Sequence, residues 1–130
     1  MAQQAAVSLD VLRERIRGLK GARVHTRWVA SGVEGLDELM GGLPVPGLVE
    51  VHGAPGSGRV RLALALVAAA TARGRLVAWV DGSRQLHPPA AAALGVELER
   101  LLLVQPPAGR VSWAVEQLLR SGCFPLVVVS

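Results

Sequence analysis

Four short apolar runs recur along the chain: "LVEVHG" at 48–53, "RLVAWVD" at 75–81, "RLLLVQ" at 100–105 and "PLVVVS" at 125–130. In the last three, consecutive positions are apolar instead of alternating, so both faces of those strands must be covered. Helical patterns lie between the runs. Strands that alternate with helices and are apolar on both sides predict an α/β fold, a parallel sheet with helices on both faces. Ligands of such sheets sit at the carboxyl ends of the strands. "HGAPGSG", "DGSRQ" and Ser130 all fall there.

The intervening segments carry helix signals of their own. "VRLALALVAAATARG" is apolar nearly all round and closed by Gly74, as expected of a helix buried beneath a sheet. "HPPAAAALGV" and "RVSWAVEQLLRSG" give two more helices. Upstream, Leu36, Leu39 and Met40 mark a short helix ending at Gly41-Gly42, followed by a turn through Pro44, Val45, Pro46 and Gly47. At the amino end, Leu9, Leu12, Ile16 and Leu19 recur at steps of three and four, with Ser8 placed to cap and Gly21 to stop. The chain thus divides into a basic amphipathic helix and linker, 1–26, and an α/β core, 27–130.

A chain of 130 residues that is 51% hydrophobic and 18% charged suits one folded domain and not a disordered one. No apolar run approaches the roughly 20 residues that span a bilayer, and the start lacks a secretion signal, so a cytoplasmic protein with no membrane contact is expected. The net charge of +4 permits an acidic partner without requiring one, because 13 of the 14 basic residues are Arg and Lys20 is the only lysine. Six of the 14 lie between Arg13 and Arg27. Three readings stay open for that helix: a solvated face, docking on another protein, or nucleic-acid contact.

"GAPGSGRV", residues 53–60, has the spacing of a phosphate-binding loop, G-x-x-x-x-G-K-[ST]. Gly53, Gly56, Ser57 and Gly58 supply the small residues that let backbone N–H groups turn inward ahead of a helix N-terminus. Arg59 stands where the lysine belongs and keeps the charge on a wider fork. Val60 stands where the magnesium-binding hydroxyl belongs and offers no oxygen. The loop is either a degenerate nucleotide site or a retained structural turn.

With "GLDELMGGLPVPGLVEVHG" leading into that loop, and the later runs following collinearly, residues 28–130 resemble the core of the RecA superfamily. The resemblance implies a RecA-like P-loop core truncated after its fourth strand, so that the chain is either an amino-terminal piece or lacks DNA-contacting loops of its own. In RecA-like ATPases a glutamate follows the strand matched by "AWVD", and an aspartate ends the strand matched by "PLVVVS". Collinear matching puts Ser83 and Ser130 at those places, which implies lost catalytic positions and no ATP hydrolysis. Within the superfamily the chain looks most like the ImuA group, which places a short basic helix like "VLRERIRGLKG" before the "GLDELMGGLP" segment and tolerates a decayed loop. That likeness implies a non-catalytic accessory role in SOS-type translesion synthesis. The partners it implies are RecA, an inactive Y-family polymerase-like protein and an error-prone replicative-type DNA polymerase, with direct DNA binding left open. Partner contacts would fall on Leu9, Leu12, Arg13, Ile16, Arg17, Leu19 and Lys20. The alternative is a nucleotide-dependent ATPase of the RecA or KaiC sort, or a nucleotide-sensing module.

The remaining candidates have plainer readings. His25, His52 and His87 have no Cys, Asp or Glu at ligand spacing, so no metal site is expected. Asp81, at a strand end, caps the next turn or contributes to a polar site. Trp28, Trp79 and Trp113 are expected in core or interface packing. Cys123 is expected to be a small buried thiol at a strand entrance.

Overall fold

The structure, a computed structural model, describes residues 26–130. A short antiparallel pair comes first: β1, Arg27–Val29, lies against β2, Leu43–Val45, with Trp28 opposite Pro44. Between them sits α1, Glu34–Met40, closed by Gly41 in the left-handed conformation. The sequence predicts a turn where β2 forms. Pro44 is tolerated there because β2 is an edge strand with only one partner. Asp37 fastens the entry to α1, its carboxylate accepting from the Ser31 and Gly32 amides at 2.8 and 3.1 Å.

The central sheet has three parallel strands in the order β4-β3-β5: β3 is Val77–Val80, β4 is Leu101–Val104 and β5 is Leu126–Val129. Three helices serve it. The first, α2, covers Arg59–Ala72; α3 covers Pro88–Ala93; and α4 covers Val111–Ser121, ended by Gly122 in the left-handed region. The connection from β3 to β4 and that from β4 back across to β5 run in opposite directions along the sheet. Crossovers of one hand therefore place their helices on opposite faces.

Side-chain alternation agrees with that arrangement. Val77 and Trp79 point into a cluster with Leu64 and Val67 of α2, Ala91 of α3 and Val96. Ala78 and Val80 point the other way, toward the side where Ala114 of α4 is buried. All four residues of β3 are buried, as the unbroken apolarity of "VAWV" requires of a central strand. The α2 helix buries only Leu64, Val67 and Thr71, a narrower stripe than its composition suggests. Thr71, fully buried, donates to the Ala68 carbonyl and accepts from the Glu97 amide, tying α2 to the turn that leads into β4.

One expectation of the sequence is overturned. Residues 48–53, read as the first of four parallel strands, form no strand. Leu48 is 85% exposed, and Val49 and Val51 are also on the surface. A strand exists only through ladder partners, and within the described residues both outer edges of the β4-β3-β5 sheet are left without a fourth strand. Apolar composition alone does not supply one. The core, among the described residues, is a three-stranded parallel sheet. Among the described residues no helix is long and apolar enough to cross a membrane.

Candidate functional site

At the carboxyl end of the sheet the three strands stop in register. Val80 pairs with Val104 on one side and Val129 on the other, so Asp81, Gln105 and Ser130 are the next residues on the three strands. The Asp81 amide donates to the Val104 carbonyl, and the Gly82 amide to the Ser130 carbonyl, stitching the end of β3 to both neighbours. Asp81 is fully buried and its carboxylate receives five donors. Oδ1 accepts from the Gln85 amide at 3.1 Å, the Ser83 hydroxyl at 3.3 Å and the Ser130 hydroxyl at 3.4 Å. Oδ2 accepts from the Leu86 amide at 2.9 Å and the Gln105 side chain at 3.2 Å. Arg84, between them, has φ of 57°, a left-handed conformation rare outside glycine that wraps the turn around the carboxylate.

Burial pushes the Asp81 carboxyl up. The amides of Leu86 and Gln85, with Gln105 and Ser83, outweigh it and leave the group below the usual carboxylate range. Asp81 is thus a charged anchor for the turn after β3. Asp37 is also held low, chiefly by its hydrogen bonds to Ser31, with Gly32 and the Arg73 charge adding to them against the cost of burial.

The glycine loop faces the same end of the sheet. Gly56 and Gly58 have φ of 82° and 91°, conformations that a side chain opposes, and Gly58 is the residue from which α2 springs. At Gly53 a β-carbon would collide with the Ser57 hydroxyl. The loop closes on itself through the Ser57 amide and the Ala54 carbonyl at 3.0 Å. The first amides of α2 have no intrahelical acceptor and carry the positive end of the helix dipole. Arg59 folds back, its Nη1 donating to the Gly53 carbonyl at 3.0 Å, so its guanidinium grips the loop's own backbone. Val60 is half-exposed and lines a cavity of about 230 Å³ with Leu64, Trp79, Leu86, Ser83 and Ser130.

Of the candidates read from the sequence, Val60, Ser83 and Ser130 therefore converge on one cavity, while Gly53, Gly56, Ser57, Gly58 and Arg59 form the adjoining loop. The candidates Leu9, Leu12, Arg13, Ile16, Arg17, Leu19 and Lys20 lie outside the described residues, as does His25. Two participants were missed. Trp79 donates from its indole N–H to the Ser130 hydroxyl at 3.0 Å, and Gln105 reaches Asp81. Counting one residue past each apolar run would have found Gln105 beside Asp81 and Ser130; nothing local marks the indole.

The other side chains resolve simply. His52 is exposed and pairs with Glu50 at 3.1 Å. The His87 ring accepts from the Ala90 amide at the start of α3. Trp79 is core, but Trp28 and Trp113 are 57% and 52% exposed, and the Arg110 guanidinium sits 4.5 Å from the Trp113 ring. Cys123 is exposed, contrary to expectation, because the chain leaves α4 at Gly122 and turns outside the sheet before β5 begins at Leu126.

Comparison with known proteins places this geometry in a family. Residues 13–130 match the family model described as the RecA N-terminal domain. Protein RecA of Arthrospira platensis is 41% identical over 110 residues, 83% of this chain and 30% of that protein. Protein RecA of Paramagnetospirillum magneticum is 39% identical over 115 residues, 86% of this chain and 32% of that protein. The chain thus spans less than a third of the length of these curated relatives. With the match covering most of its length and an α/β structure of the corresponding kind, the chain belongs to the RecA N-terminal domain family.

Proposed function

We propose that this chain is a non-catalytic, RecA-like accessory module of the ImuA kind, acting in SOS-type DNA damage tolerance through contacts with RecA and translesion polymerase components. The observation that carries this reading is the state of three side chains that line the cavity and of Arg59 in the adjoining loop. Arg59 is turned onto Gly53, Val60 presents methyl groups, and Ser83 and Ser130 both donate to Asp81. Phosphoryl transfer needs a cation and a water-activating group acting together on one phosphate. Here the Arg59 guanidinium is engaged by the loop's own backbone, and the one buried carboxylate at the strand ends, Asp81, is committed to holding a turn. In this reading the loop and helix N-terminus serve as a scaffold, and recognition falls to the surface and to the basic amphipathic segment before residue 27.

Immobilised RecA should retain the full chain, and deletion of residues 1–22 should abolish retention while leaving the thermal melt of the core in place. Retention unchanged by the deletion refutes the assignment of the amino-terminal segment. A second reading, a nucleotide-gated adaptor without turnover, draws on the left-handed glycines before α2 and the free amides of its first turn, which suit an anion. Tight ADP binding without phosphate release distinguishes it.

A further inference from the structure

The resemblance to RecA-like ATPases implies a magnesium nucleotide at the strand ends, and the donor set there does not fit one. A divalent cation of this kind needs oxygen atoms with free lone pairs. The two oxygens of Asp81 already receive five donors, and Ser130 Oγ both accepts from the Trp79 indole and donates to Asp81. Val60 and Leu64 line the cavity with methyl groups, and its other polar lining, Ser83, Gln85 and His87, adds no carboxylate. We propose that Trp79 sets the ligand class of this cleft: its indole N–H takes the position of a cation as the positive partner of the residue that ends β5.

Three features support this role for Trp79. The residue is 1% exposed and packed in the main cluster, so the direction of its N–H is fixed by the core. The hydrogen points at Ser130 Oγ from 3.0 Å, putting a partial positive charge beside the oxygen a metal would have to approach. The chain Trp79–Ser130–Asp81 uses the Ser130 hydrogen and one of its two lone pairs, so what it leaves facing the cavity is a neutral hydroxyl oxygen already engaged by the indole, not a carboxylate. An acidic side chain placed at 130 would therefore meet the indole donor first, and restoring acid alone would not restore a metal site.

This inference deepens the non-catalytic reading and rests on it, but the two fail separately: turnover of ATP by the native chain defeats the reading, whereas the variants below test Trp79. Manganese alone is the probe, with free Mn²⁺ followed by electron paramagnetic resonance on the full chain and on Ser130→Asp, Trp79→Phe and the double variant. Removing one charge-assisted donor from the new carboxylate should strengthen Mn²⁺ binding about tenfold in the double variant relative to Ser130→Asp alone. Equal binding by Ser130→Asp and the double variant overturns the proposal, as does a folded double variant that gains nothing. If the double variant fails to melt cooperatively, the native chain decides the matter by its indole N–H resonances. Ser130→Ala should then shift the Trp79 signal and leave Trp28 and Trp113 in place, and Mn²⁺ should not broaden the Trp79 signal of the native chain. A Trp79 signal indifferent to Ser130→Ala, or broadened by Mn²⁺, contradicts it.

Discussion

Replacing Asp81 by Ala tests how much of the fold hangs on one buried carboxylate. Of its five donors, the two Ser hydroxyls can turn to other acceptors, and Gln105, on an exposed residue, can retreat to water. The amides of Gln85 and Leu86 cannot, since their direction is set by the turn after β3. A hydrogen bond to a charged group contributes about 1.5–3 kcal/mol, so two fixed ones set an upper range of about 3–6 kcal/mol. Water entering from the adjoining cavity relieves part of this, leaving a loss of about 3 kcal/mol at neutral pH, against a total of about 5–15 kcal/mol for a small domain. Urea denaturation followed by circular dichroism measures it, and the melting temperature should fall by about 10 °C. The sign with pH is also fixed. The folded group ionises below its unfolded value, so its contribution is complete above the ordinary Asp range and is lost as pH falls through the lowered folded value. The Ala variant should accordingly lose less stability than the native chain on acidification below about pH 4. A cost under about 1 kcal/mol, or unchanged pH dependence, refutes the assignment of Asp81 as the anchor.

Other outcomes follow from the packing. Val67, fully buried where α2 meets β3, should cost about 2 kcal/mol when cut to Ala, read from the shift in urea midpoint. Gly58→Ala forces a β-carbon into φ of 91° and should cost about 1 kcal/mol, with the largest amide chemical-shift changes confined to the loop and first turn of α2. Cys123 should react with a thiol reagent in the native state without prior unfolding; protection until unfolding contradicts its exposed position.

Much of this architecture was legible because the signals were redundant. For β3, unbroken apolarity, a preceding Gly and a closing Asp coincide, and the strand lies where "RLVAWVD" put it. The ends of α1 and α2 were marked by Gly41 and Gly74, each left-handed in the structure. The failures have a common cause. "LVEVHG" has the composition of a strand, but pairing is supplied by neighbours, and composition does not report whether a neighbour is there. Pro44 read as a turn because proline weakens a ladder, yet an edge strand tolerates it. Cys123 read as buried from the apolar run after it, whereas the residues between Gly122 and β5 pass outside the sheet. At the site, the loop glycines and strand-end serines could be read from spacing, but the redirection of Arg59 onto Gly53 and the indole bond to Ser130 depend on side-chain geometry.

The claim that most needs testing is that the cavity between the glycine loop and the strand ends supports no phosphoryl transfer. Purified chain should be incubated with Mg-ATP and assayed for phosphate release, with the Arg59→Ala variant alongside to separate the site from contaminating activity. The account predicts release at the buffer background for both. Release by the native chain that disappears in Arg59→Ala would contradict it and identify a working ATPase.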